Sequence, residues 1–78
     1  MSNFLQIDLH GHTADSAKRQ LDAVLKHLAP DVREIKVIHG YHQGTSLREV
    51  VRRYRHPKIE RKLSGLNQGA TIFVIKGD

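Results

Sequence analysis

The chain contains no cysteine. Disulfides, thiolate zinc centres and cysteine nucleophiles are therefore excluded, and cysteine usage is silent on the redox compartment. No apolar run approaches the ~18 residues that a membrane-spanning helix needs. There is no internal repeat, no low-complexity tract and no linker. Met1-Ser2-Asn3-Phe4 lacks a basic stretch followed by an apolar region, so no secretory leader is expected and a cytoplasmic location is the default. Residues 1–78 are too few for a multidomain enzyme with separate substrate and cofactor halves, and a single domain is expected. At 38% hydrophobic and 27% charged, the composition lies outside the disordered range and supports one thin core.

Charge of one sign is in excess. Thirteen Lys and Arg against eight Asp and Glu give +5, with a pI near 10.0. A basic small domain often meets phosphates, although solubility alone is also served by such a balance.

Hydrophobic periodicity divides the chain into six elements. Residues 4–10 alternate, with Leu5, Ile7 and Leu9 on one face and Gln6, Asp8 and His10 on the other, as a half-buried strand does. Gly11-His12-Thr13 is a turn, and Thr13 caps a helix with Asp15 in its first turn. Ala14, Ala17, Leu21, Val24, Leu25 and Leu28 recur at helical spacing up to Pro30. Residues 34–39 form a second strand and Gly40–Gly44 a loop. Ser46 and Glu49 have capping-box spacing, and Leu47, Val50, Val51 and Tyr54 give the second helix its apolar stripe, which stops before His56-Pro57. Residues 58–63 suit an exposed strand, with Ile59, Arg61 and Leu63 alternating against Lys58, Glu60 and Lys62. Residues 71–75 read as a central strand. The order β-α-β-α-β-β, with its first two strands parallel, predicts a two-layer α/β sandwich on a four-stranded mixed sheet.

Ligands of open α/β sheets bind at the carboxyl ends of the strands. Two strands here end in polar, histidine-bearing turns, Asp8-Leu9-His10-Gly11-His12 and His39-Gly40-Tyr41-His42-Gln43-Gly44, so four of the six histidines share one edge. Phosphodiester cleavage needs a base, an acid and neutralisation of phosphate charge. Histidine titrates in the right range for the first two, and a neighbouring carboxylate can orient it. Glycines and helix N-termini let backbone N–H groups approach phosphate. Arg48, Arg52 and Arg55 form a basic stripe along the second helix. Each residue also has a plainer use: Asp8 as a turn residue, Gly11 and Gly40 for turn geometry, the arginines as a solvated helix face. A zinc site from Asp8, His10 and His12 with His39 or His42 is a further arrangement of the same residues.

The motifs resemble those of the Smr (small MutS-related) domain. Leu5-Gln6-Ile7-Asp8-Leu9-His10-Gly11-His12-Thr13 resembles the family's opening Leu-Asp-Leu-His-Gly strand and turn. Val37-Ile38-His39-Gly40 resembles its second strand and His-Gly turn, Leu47-Arg48 its second helix start, and Gly69–Ile75 its closing turn and strand. The resemblance covers nearly the whole chain and implies a stand-alone Smr domain. It further implies a fold similar to the C-terminal domain of the bacterial translation initiation factor, nucleic-acid binding and, as in several members, endonuclease activity on DNA or mRNA. The family's Asp-x-His motif is present as Asp8 and His10. Its His-Gly-Lys-Gly motif is altered, with Tyr41 in the Lys place, His42 in the second Gly place and a loop one residue longer. Gly44 is then the candidate for backbone approach, Tyr41 for base stacking and His42 for phosphate contact.

Two functional expectations follow. In a nuclease, His10 is the general base or acid oriented by Asp8, with His39 or His42 as its partner. Gly11, His12, Gly40, Tyr41, Gly44, Arg48, Arg52 and Arg55 bind the nucleic acid, RNA in preference to DNA. No metal ligand set is assigned, and magnesium or manganese is the divalent ion that such chemistry admits. In a non-catalytic nucleic-acid or ribosome-binding module, the same basic edge binds and Asp8 orients a loop. No membrane partner is expected.

Overall fold

A computed structural model describes residues 4–40, 45–64 and 69–77. The elements are β1 (Phe4–Asp8), α1 (Ala14–Lys26), β2 (Glu34–Ile38), α2 (Thr45–Arg53), β3 (Ile59–Ser64) and β4 (Ala70–Ile75). The expected order is reproduced, and the four strands form one mixed sheet in the order β1-β2-β4-β3. β1 and β2 are parallel, while β4 lies antiparallel between β2 and β3. Residues 41–44 and 65–68 lie outside the described residues.

Both helices cover the same face of the sheet. Alternation sends Ile7, Ile35, Val37, Phe73 and Ile75 to that face, where they join Ala17, Leu21, Leu25, Leu47, Val51 and Tyr54 in one core. Phe73 lies fully buried at its centre, and its ring stacks on Tyr54 at 6.1 Å and 8°. Burying an aromatic of this size is worth about 2–3 kcal/mol, and the ring pair adds about 1 kcal/mol.

α1 starts where the sequence places it. Thr13 Oγ1 accepts from the Ser16 N–H at 3.1 Å and Ser16 Oγ accepts from the Thr13 N–H at 3.0 Å, a capping box closed by serine. The helix stops at Lys26, four residues short of Pro30, with the His27 N–H donating to the Ala23 carbonyl at 3.2 Å. Leu28 still packs on the core from outside the helix. α2 begins at Thr45, so Ser46 lies inside its first turn instead of capping it. Glu49 pairs forward with Arg52 (3.7 Å) and Arg53 (3.3 Å).

β3 departs from the expected alternation. Ile59 faces Ile75 but Arg61 faces Val74, so Glu60 is an extra residue, a β-bulge. Beyond it the faces exchange. Lys62, opposite Phe73, turns to the helix side, and Leu63, opposite Ile72, is 43% exposed on the other. Lys62 Nζ donates to the Arg52 carbonyl at 2.6 Å and to the Tyr54 carbonyl, and sits 5.7 Å above the Phe73 ring. Lys58 Nζ donates to the Leu25 carbonyl at 2.5 Å. Two lysines flanking the bulge thus satisfy carbonyls at or just beyond the C-termini of both helices, where a cation is also favoured by the helix dipole.

Candidate nucleic-acid interface

The parallel register sets Asp8 opposite Ile38, so the turns following β1 and β2 leave from one sheet edge. The Leu9 N–H still donates to the Ile38 carbonyl at 2.7 Å, which extends the pairing into the turn and buries Leu9 completely. Asp8 is exposed, and its Oδ1 accepts from the His10 backbone N–H at 2.9 Å. This bond over two residues is an Asx turn. The carboxylate therefore fixes the position of residue 10 through its backbone and leaves the exposed imidazole of His10 to solvent. The His12 N–H donates to the Leu9 carbonyl at 2.9 Å, and its Nδ1 lies 3.1 Å from Ser16 Oγ, which ties the turn to the start of α1.

Gly11 and Gly40 have φ of +85° and +72°, the left-handed region. A Cβ at either position would meet nothing within 4 Å. Glycine is needed there for backbone conformation and not for space.

His39 is placed differently from His10. It is 3% exposed. Its Nδ1 lies 2.8 Å from the Gly40 carbonyl, which can only accept, so Nδ1 carries the proton. Nε2, 3.0 Å from Thr71 Oγ1, then accepts from that hydroxyl. The His39 and Gly40 N–H groups both donate to the Gly69 carbonyl, at 2.8 and 2.9 Å. With both ring nitrogens engaged, His39 holds the Gly40 turn against β4 and has no nitrogen free for a substrate in this arrangement. Tyr41, His42 and Gly44 lie outside the described residues. Among the described residues no three His, Asp or Glu side chains converge on a metal position, so Asp8, His10, His12 and His39 do not form the zinc arrangement.

The family model for the Smr domain matches residues 7–72. The chain belongs to the Smr domain family. No curated protein matches the chain. Smr domains are nucleic-acid-binding modules, and the matched region contains the Asp8–His12 turn, the His39–Gly40 turn and the whole of α2 and β3. No helix among the described residues of this Smr domain is long and apolar enough to cross a membrane.

The arginine stripe does not stay on the Asp8–Gly40 edge. α2 begins near that edge with Arg48 in its first turns, and runs to the opposite one. Arg55 leads directly into Ile59, which pairs with Ile75, and the Ile75 N–H donates to the Arg33 carbonyl just ahead of β2. Arg52 and Arg55 are thus carried to the amino edge of β2, where they join Arg53, His56, Arg61 and Lys62 around an open groove of about 820 Å³. The sequence pattern did not place Arg61 and Lys62 beside these arginines, because a weak charged strand gave no sign of its bulge. Burial, and next the neighbouring Arg55, hold the Lys62 ammonium below its usual pKa.

Proposed function

We propose that this Smr domain is an endonuclease that cleaves phosphodiester bonds in RNA in preference to structured DNA. The observation that supports it most is the pairing of Asp8 with Ile38, which sets the exposed Asp8–His10–Gly11 turn beside the His39–Gly40 turn on one sheet edge. His10 is the proton-transfer group, held in place by Asp8 through its backbone bond. His39, locked between Gly40 and Thr71, is a positioning residue, which leaves His42 as the second proton-transfer group. Gly40, Gly44 and the start of α2 approach phosphate, and Arg48 neutralises it. If RNA is cut without metal, the 2′-OH loses its proton to the base and attacks phosphorus. The P–O5′ bond breaks, the acid protonates the leaving 5′-oxygen, and a cyclic phosphate end remains. A magnesium or manganese ion, where used, would meet Asp8 together with substrate phosphate oxygens.

A binding module without turnover is the second reading. It is favoured by the Asp8 carboxylate accepting from the His10 backbone N–H, with no imidazole bonded to it among the described residues. Cleavage of end-labelled single-stranded RNA and of branched DNA, with and without EDTA, separates the two when run beside His10→Ala. Cutting that disappears in the variant supports the nuclease. EDTA-resistant cutting with cyclic phosphate ends supports the metal-free route, and 5′-phosphate products overturn it. Salt-sensitive binding with no cutting by the wild type leaves the binding module.

A further inference from the structure

We propose that the groove between the end of α2 and edge strand β3 is a second docking site for nucleic-acid phosphates. It takes the same strand that enters at the Asp8–Gly40 edge, and so rests on the nucleic-acid reading above. Residues 48–62 hold seven of the 13 Lys and Arg and two of the eight Asp and Glu, a net +5. That equals the net charge of the whole chain, so everything outside this segment is neutral in sum, six cations against six carboxylates.

The fold gathers that segment instead of spreading it. α2 and the residues just past its end deliver Arg52, Arg53 and Arg55 to one wall, and the bulge at Glu60, whose carboxylate also lines the groove, sets Arg61 and Lys62 on successive faces of the edge strand. Among the described residues neither Arg55 nor Arg61 has an ion-pair partner, whereas Glu49 already offsets part of Arg52 and Arg53. His56 adds a neutral donor. Its Nδ1 accepts from the Lys58 N–H at 3.1 Å, so the ring proton of the neutral imidazole is on Nε2. Cations around a concave, partly apolar floor focus potential more strongly than cations on an open helix face. Ile59 and Pro57 line this groove and provide that floor.

The two sites are about 16 Å apart along the five residues of β2, at ~3.3 Å per residue, and up to three strand spacings of ~4.8 Å across the sheet, about 21 Å in all. That distance is about six phosphate steps of 3.4 Å. A strand of about 4 nucleotides occupies one site, and one of about 16 reaches both.

The test is fluorescence anisotropy on labelled single-stranded RNA of about 4 and about 16 nucleotides, as a function of salt. It compares the wild type, Arg55→Gln/Arg61→Gln, and the charge-matched control Lys18→Gln/Lys36→Gln. All four positions are exposed or half-buried, and circular dichroism melts check that each variant folds. Two lost phosphate contacts on a single strand reduce the salt slope by about 1.4, or about 25-fold in affinity at ~0.1 M salt. The expected result is that loss in the arginine variant with the longer strand, and the collapse of its affinity advantage over the shorter one. The control is expected to lose far less. An arginine variant indistinguishable from the control overturns the second site while leaving the proposed function standing. Failure of the wild type to bind either strand overturns both.

Discussion

The hydroxyl of Thr71 is the most exacting test of how the interface is built. Thr71→Val keeps shape and strand preference but deletes the donor to His39 Nε2, 3.0 Å away in a residue that is 3% exposed. Leaving a buried neutral acceptor unsatisfied costs about 1–3 kcal/mol. At about 0.05–0.15 kcal/mol per residue, a 78-residue domain has about 4–12 kcal/mol in all, so the loss is a substantial fraction of the whole. At about 4–8 °C per kcal/mol for a domain of this size, the melting temperature falls by at least about 4 °C. Urea unfolding of a double-mutant cycle isolates the bond from any intrinsic difference between Thr and Val. In a His39→Leu background the acceptor is gone, and Thr71→Val should then cost almost nothing, giving a coupling of about 1–3 kcal/mol. Amide hydrogen exchange should also quicken at His39 and Gly40, whose N–H groups share the Gly69 carbonyl. Equal costs of Thr71→Val in both backgrounds would refute the assignment of His39 as a positioning residue held by Thr71.

Four further outcomes are expected. His10→Ala lowers RNA cleavage about 10²–10⁴-fold, the usual worth of general acid–base catalysis, with affinity by anisotropy unchanged; a parallel loss of affinity would count against its proposed role. Gly11→Ala and Gly40→Ala each destabilise by about 1–2 kcal/mol from the left-handed backbone alone, and Gly11→Asn less; since a Cβ meets nothing at either site, a larger loss by thermal melting would contradict the open surroundings. Lys62→Met, which keeps the stem but drops two bonds to carbonyls at the end of α2, lowers stability by about 1–3 kcal/mol in urea, and an unchanged midpoint would dismiss the cap. Burial, and next the 2.5 Å bond to Asp22, hold the Tyr54 phenol far above its ordinary value of 10.0, so the folded state keeps a proton that the unfolded state releases. Its contribution is therefore complete below pH 10 and is lost as pH rises beyond it; in a Tyr41→Phe background phenolate absorbance should appear only as the circular dichroism signal disappears, and ionisation of an intact fold near pH 10 would contradict it.

β1 and the two helices were legible because each carries one uninterrupted period. Leu5-Ile7-Leu9 alternates through the end of β1, and Ala17, Leu21 and Leu25 are spaced for one helical face, so all but the half-buried Leu5 end in the core. The start of α1 was legible for the same local reason, a threonine ahead of an apolar repeat, although serine and not glutamate closes the box. His10 and His39 were not separable by sequence. Both follow a strand, both precede a glycine with positive φ, and only the partner strand distinguishes them. β4 lies beside β2 and brings Thr71 to His39, whereas β1 is an edge strand and no strand among the described residues flanks it on the outer side to engage His10.

The bulge has the widest consequence of what the sequence concealed. A regular strand over residues 59–64 would put Ile59, Arg61 and Leu63 together on the helix side, burying a guanidinium beneath the end of α2. One extra residue at Glu60 avoids that cost. Ile59 stays against the core, Arg61 turns out to solvent, and Lys62 takes the inner place, where its long stem lies under the helix and its ammonium finds carbonyl acceptors. The same slip leaves Arg61 beside Arg55 and Arg52 at the rim of the groove. Stability and charge display therefore have one origin in this Smr domain. Deleting Glu60 removes the bulge but leaves Arg61 opposite Val74 and Lys62 opposite Phe73, so Arg61 stays outside and Lys62 inside: the melting temperature should hold and the salt slope in RNA binding should not fall. A deletion that lowered either would refute the claim that the register beyond the bulge sets both properties.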